Sequence, residues 1–206
     1  MWNRSILTIS LALGSLLPGA AGAQGGPPPM ANFTAVREQF IDGQARLAAQ
    51  TLLQSTLYIR HQVGRSRDEV VGMQLLETES RLEKLASALG NGRPTTLREL
   101  EQSMSNADRL LALHFVQTAG AALIRPRADD LPGVAHDMQR GAAHFERSFV
   151  LVGRTVPSDA AVVLADVRSN AMTMERTRTV PSNTKSVLAA FERQLTGVAV
   201  LAVSQR

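Results

Sequence analysis

The segment between positions 71 and 89 constrains the fold of this chain most, because its apolar and small residues recur at alternating steps of four and three. The seam consists of Val71, Leu75, Thr78, Leu82, Leu85 and Leu89. This period places all six side chains on one face of an α-helix and is typical of helices that pack along their length. Gly90-Asn91-Gly92 follows directly, and glycine at this place commonly ends a helix. The chain is therefore expected to bury its apolar surface between parallel or antiparallel helices.

The same periodicity extends from Asn32 to the end of the chain, interrupted by short glycine and proline signals. It predicts six helices. The first three run from Asn32 (an N-cap) to His61, from the Gly64-Arg65-Ser66 break to Gly90, and from Pro94 to about Arg125. The fourth runs from the Asp129 to Gly133 turn to Gly153, the fifth begins at Pro157, and the sixth begins at Pro181. The first should place Phe33, Val36, Phe40, Gly43 and Leu47 on one stripe. No alternating pattern typical of a strand is flanked by turn signals. The expected fold class is all-α, an elongated and mostly antiparallel bundle of about six helices.

An internal repeat supports this architecture. When the chain is shifted by 63 residues, Arg46-Leu47 coincides with Arg109-Leu110, Gly90 with Gly153, and Pro94-Thr95 with Pro157-Ser158. A third, shorter copy follows, because Phe145-Glu146-Arg147 recurs as Phe191-Glu192-Arg193. The alternative is that any two bundle helices align at some heptad shift. The repeat predicts three α-hairpins within a domain at 32–206, at about 32–93, 94–156 and 157–206.

The N-terminal residues match an export signal. Arg4 gives a positive start, an apolar run covers 6–17, and Ala21-Gly22-Ala23 forms a cleavage site. Residues 1–23 are therefore expected to be a signal peptide, followed by a flexible leader at 24–31. The alternative is an uncleaved anchor, although the run is too short for a comfortable bilayer span. We expect the mature protein in the periplasm or outside the cell, and no transmembrane segment after cleavage.

Composition excludes several classes of function. The chain has no cysteine, which excludes disulfides, thiol catalysis, lipoprotein anchoring and covalent haem attachment. Removal of Arg4 with the signal peptide would lower the formal net charge from +4 to +3. Arginines and acids alternate along the helices, so we expect solvated faces and no nucleic-acid partner. Binding of a small anion remains open, since arginine suits bidentate oxyanions.

Two polar residues in the first predicted helix form the candidate ligand site. Arg46 and Gln50 are one helical turn apart and share a face. Gly43 lies one turn before Arg46 and would allow another helix to approach closely. An arginine between helices can hold a planar or tetrahedral oxyanion. Alternatively, Arg46 extends along the surface to solvent or pairs with a neighbouring acid.

The segment from Asp42 to Leu52, D-G-Q-A-R-L-A-A-Q-T-L, resembles the signature A-G-R-Q-R-M-L-S-Q-R-M. That signature belongs to the N-terminal sensor domain of type IV pilus methyl-accepting chemotaxis transducers, which is similar to the periplasmic helical domain of nitrate and nitrite sensor kinases. Gly43, Arg46 and Gln50 match, whereas Gln44, Ala49 and Thr51 differ. The resemblance implies a periplasmic, sensor-like binding module with Arg46 and Arg109 facing a small anion. Alternatively, the module binds a membrane-bound signalling protein as its partner.

Other functions have less support in the sequence. A chaperone-like or envelope interaction protein would use apolar grooves between helices, and a homodimer is compatible with such a surface. Copper or haem handling would draw on His61, His114, His136 and His144 with Met138, Met172 and Met174, but methionine at helical spacing is more often core. Catalytic motifs such as G-x-S-x-G, H-E-x-x-H and a phosphate loop are missing. The expected protein is non-enzymatic and has no cofactor.

Overall fold

The computed structural model describes residues 30–203, with side chains described up to residue 197. Within these residues the chain forms seven α-helices and a short 3-10 turn (Ala128–Asp130). The helices are α1 (Phe33–Ile41), α2 (Ala45–Val63), α3 (Glu69–Gly90), α4 (Leu97–Ala122), α5 (Leu131–Leu151), α6 (Ser158–Thr177) and α7 (Thr184–Val203). No strand occurs in 30–203, so the predicted all-α bundle is confirmed. The predicted signal peptide and most of the leader lie outside the described residues.

Successive long helices pack as antiparallel pairs. Ser105 on α4 donates its hydroxyl hydrogen to the carbonyl of Ser148 on α5, at 2.6 Å. Two turns further along, Gly141 on α5 lies against the carbonyl of Ala112, where an added Cβ would be only 3.3 Å from the oxygen. Glycine therefore permits the close approach of α4 and α5. The helices α2 and α3 are also antiparallel, as the contacts Ala49–Gly90 and Arg60–Glu79 show. The same is true of α6 and α7, through the contacts Asp159–Gln194 and Asn170–Asn183. None of the helices in 30–203 has the length and apolar character that a membrane span needs.

Side-chain caps define where several helices begin. The side chains of Asn32, Asp68 and Thr96 accept hydrogen bonds from the backbone N–H groups of Ala35, Val71 and Glu99, at the starts of α1, α3 and α4. A cap of this kind satisfies an N–H that has no partner inside the helix, and it contributes about 1 kcal/mol. The predicted N-cap at Asn32 is confirmed.

The prediction of one continuous helix from Asn32 to His61 is wrong, because the chain turns between α1 and α2 at Asp42–Gln44. Gly43 has a φ of +75°, a conformation that costs little only for glycine. The N–H of Gln44 bonds to the carbonyl of Gln39 at 2.8 Å, and that of Gly43 to Phe40 at 3.1 Å. These two bonds form the Schellman motif that ends a helix. Gly92 and Gly153, which follow α3 and α5, also have a positive φ, +67° in each case.

The turn at Gly43 predicts a stability effect that separates a structural from a ligand-binding role of this residue. Gly43→Ala is expected to lower the free energy of unfolding by about 1 kcal/mol, because alanine is strained at a positive φ. Urea denaturation measures this change. Gly133, which is helical and has open space around it, is the matched control, and Gly133→Ala should be neutral or stabilising. Equal effects of the two substitutions would contradict the role given to Gly43.

The core confirms the seam from which the fold was predicted. All six seam residues of α3 are buried, and Phe33 and Val36 of α1 are completely buried. Leu47 was expected on the same stripe, but it is 45% exposed because the turn at Gly43 resets the phase of α2. Two core clusters fill the bundle, one centred on α1–α4 and one on α4–α7. α4 contributes to both and therefore joins the two halves.

Candidate functional site

A shallow groove of about 440 Å³ lies between the start of α2 and the end of α3, and it contains two predicted ligand residues. Arg46 and Gln50 form its α2 side, and Ser87 and Asn91 its α3 side. Ala49, Leu53, Ala86 and Gly90 complete the lining. Asn91 donates an amide hydrogen to the hydroxyl of Ser87 at 3.3 Å, which leaves the Ser87 hydroxyl hydrogen to point elsewhere. The groove thus combines a guanidinium, two amides and a hydroxyl with a small apolar wall.

The electrostatics of this groove favour an anion at the α2 side. The first N–H groups of α2 have no acceptor within the helix. Gln44, the N-cap of α2, does not supply one, because its side chain makes no capping bond. Their partial positive charge adds to that of the Arg46 guanidinium. Arg46 forms no ion pair with an acid of the described part of the chain. The C-terminus of α3 lies on the other side and opposes part of this effect.

The other two predicted ligand residues lie outside the groove lining. Gly43 occupies the exposed turn just before α2, where it ends α1. Arg109 lies on α4 and is half-buried, and it donates a hydrogen bond from Nη2 to Oδ1 of Asn106 at 2.8 Å. Burial lowers the pKa of Arg109 from its usual value. The structure therefore brings Arg46 and Gln50 together, but it places Arg109 apart from them.

A buried polar cluster between α4 and α5 was not predicted. Asp108 is 0% exposed, and Arg147 binds it with both ends of its guanidinium, Nε to Oδ2 at 2.6 Å and Nη2 to Oδ1 at 2.5 Å. His144, 1% exposed, lies with Nδ1 2.8 Å from Oδ1 of Asp108. The carboxylate can only accept, so Nδ1 carries the proton in that contact. Nη2 of Arg147 is also 2.8 Å from this Nδ1, but in that tautomer the contact is not a hydrogen bond.

Aromatic rings enclose the imidazole of His144. Phe115 stacks on it with centroids 5.5 Å apart, and Tyr58 of α2 lies at 6.2 Å. Burial lowers the pKa of His144, although the hydrogen bond and charge of Asp108 oppose the shift. Burial has the opposite effect on Tyr58, whose pKa it raises. Nε2 of His144 and the hydroxyl of Tyr58 have no hydrogen-bond partner in the described part of the chain.

The arrangement of an aspartate on one imidazole nitrogen and a free second nitrogen is the one that a general base uses. Here the side chains of Asp108 and His144 are closed to solvent, so a substrate has no path to Nε2 of His144 in this conformation. The cluster holds α4 to α5 through a charged pair, and the same carboxylate fixes the His144 ring.

The methionines considered for copper or haem differ in their exposure. Met138 and Met174 are completely buried in the core, whereas Met172 is 44% exposed. Within the described residues, no group of three or more histidine or acidic side chains is placed to hold a metal ion.

Comparison of the chain with protein-family models, with curated proteins and with solved structures finds no match. The resemblance to sensor domains stays a prediction.

Proposed function

We propose that this protein is a non-enzymatic periplasmic binding module, sensor-like in character, that recognises a small oxyanion in the groove between α2 and α3. The observation that carries the proposal is the meeting of Arg46 and Gln50 with Ser87 and Asn91 around one groove. The four side chains come from two helices that are held together by the core, so their positions are preorganised.

The donors of the groove match the needs of a planar anion such as nitrate or a carboxylate. A guanidinium binds two oxygens of such a group at once, which gives geometry as well as energy. The amides of Gln50 and Asn91 and the hydroxyl of Ser87 can bond to the remaining lone pairs. Ala49 and Leu53 offer an apolar contact for the non-polar part of an organic acid. Arg46 is exposed, so a ligand reaches it without movement of the helices.

The proposal predicts that nitrate, nitrite or a small carboxylate raises the melting temperature, and that Arg46→Ala abolishes this gain. At a ligand concentration one hundred times Kd, linkage gives about 2.7 kcal/mol, or a shift on the order of 5 °C for a domain of this size. A thermal denaturation series with each sodium salt at constant ionic strength measures it. Arg81→Ala, an exposed arginine of α3 outside the groove, is the matched control and should keep the shift.

Two results would count against this proposal. One is the absence of any shift across the anion series, and the other is an equal shift in wild type and Arg46→Ala, which would indicate a general salt effect.

The same face of α2 supports a second candidate, a surface for a protein partner. Arg46, Gln50, Leu53 and Leu57 follow at steps of four, three and four, and the two leucines are 44% and 53% exposed. An exposed apolar stripe that continues a polar site is typical of an interaction surface. Arg46→Ala separates the two candidates, because it removes the anion-binding group but leaves the leucines in place.

A further inference from the structure

A second groove, of about 540 Å³, lies between α4 and α7 and is flanked by the loop that joins α2 to α3. Its floor is apolar, since Val116 and Leu123 of α4 and Leu188 of α7 are each at least 95% buried. Gly120 and Ala121 keep the middle of the groove wide, because they have almost no side chain. Four charged residues also line the groove, and the two acids, Asp68 and Glu192, both contact Gln117.

The acidic end is built around Gln117. Its amide nitrogen lies 3.3 Å from Oδ2 of Asp68 and 3.2 Å from Oε1 of Glu192, and donates to both. One neutral amide therefore holds two carboxylates near each other. Arg67, which is exposed, also lines this part of the groove, so two acids face one base there. A cation placed beside Gln117 would relieve the repulsion of the two carboxylates.

The basic end is formed by Lys185 in the first turn of α7. Lys185 and Glu192 are seven residues apart, which places them on one face of α7 and about 10 Å apart along its axis. The N-terminal end of α7 adds partial positive charge beside Lys185. Within the described residues, none of Arg67, Asp68, Lys185 and Glu192 forms an ion pair.

We propose that this groove binds a short peptide of about three residues with free termini and apolar side chains. The ammonium group lies at the acidic end, beside Asp68 and Glu192, and the carboxylate lies at Lys185. An extended chain advances about 3.3–3.6 Å per residue, so three residues cover the distance of about 10 Å between the two charges on α7. In a single amino acid the two charges are too close together to reach both ends. The apolar residues that line the groove contact the side chains of the peptide.

The test uses the purified full-length protein and the tripeptide Ala-Leu-Ala in three forms, with free termini, with an acetylated N-terminus and with an amidated C-terminus. Isothermal titration calorimetry is expected to show that the free form binds, and that each blocked form binds about tenfold or more weakly. The reason is that each block removes a charge-assisted interaction. Failure of the free peptide to bind at millimolar concentration overturns the proposal, as does equal binding of the three forms.

Two variants assign the ends of the groove. Glu192→Gln keeps the shape and the hydrogen-bond acceptor for Gln117 but removes a charge, so free and acetylated peptides should approach equal affinity. Lys185→Gln should in turn reduce the preference of the free over the amidated peptide. Glu175→Gln on α6 and Lys84→Gln on α3 are exposed matched controls and should keep the wild-type ratios. If Glu192→Gln changed the relative affinity of the amidated peptide rather than that of the acetylated peptide, the proposed direction of the peptide would be wrong.

Discussion

Replacement of Asp108 by alanine is expected to lower the free energy of unfolding by about 3 kcal/mol or more, the largest effect of any single substitution argued from this structure. The carboxylate of Asp108 is 0% exposed and receives two bonds from Arg147 and one from His144. Its removal leaves the guanidinium of Arg147, whose side chain is 23% exposed, without its partner in a largely apolar site. A buried charge that has lost its partner costs more than the pair contributes.

Urea denaturation of Asp108→Ala at pH 7.5 measures this effect, and two further variants identify its cause. The double variant Asp108→Leu with Arg147→Met replaces the charged pair by apolar side chains and should recover most of the lost stability. Glu146→Ala breaks the ion pair between Glu146 and Arg168, whose side chains are 37% and 44% exposed, and should cost less than about 1 kcal/mol. A loss in Asp108→Ala no larger than the loss in Glu146→Ala would contradict the buried-charge account.

The sequence predicted the helices well because apolar periodicity and punctuation are local signals. The seam from Val71 to Leu89 is buried as expected, and α3, α5 and α6 end or begin within a few residues of the predicted glycine and proline signals. The break at Gly43 was missed because a lone glycine within a helical pattern is compatible with a continuous helix. What decides the case is the positive φ of Gly43 and the two backbone bonds across the turn, which no spacing rule reports.

The candidate site was predicted in part. Arg46 and Gln50 share a face because they are one turn apart, and the sequence suffices for that. Their neighbours Ser87 and Asn91 depend on how α3 pairs with α2, which is a tertiary property. The buried cluster was missed for a different reason. The predicted repeat drew attention to residues that recur after 63 positions, whereas Asp108 and His144 correspond to Ala45 and Arg81. The cluster is thus not repeated, and a charged residue beside an apolar seam is usually exposed.

Acidification is expected to destabilise the protein well before its carboxylates titrate, because two buried histidines resist protonation in the folded state. Burial lowers the pKa of His114 to about 4, with the charges of Arg65 and of His144 as smaller contributions. Burial also lowers the pKa of His144. At pH 7.5 both rings are neutral in the folded and unfolded chains. Below pH 6.5 the unfolded chain takes up protons that the folded chain does not, so the free energy of unfolding falls as the pH falls.

The size of the effect follows from the pKa of His114. Between pH 7.5 and pH 5.0 this residue alone should remove about 2 kcal/mol of stability, and His144 adds to the loss in the same direction. Asp137, whose pKa is raised by burial, acts in the opposite direction where its carboxyl group takes up a proton. Urea denaturation at half-unit steps gives the slope, which reports the number of protons bound on unfolding.

A pair of variants assigns the slope to the buried rings. His114→Gln cannot titrate and should retain about 2 kcal/mol more of its pH 7.5 stability at pH 5.0 than the wild type does. His136→Gln removes an exposed imidazole and should leave the slope unchanged. A slope that is the same in all three proteins would show that other groups cause the acid sensitivity. A slope that vanished in His136→Gln would place the titrating group on the surface of α5, and the assignment of the slope to the buried ring of His114 would then be wrong.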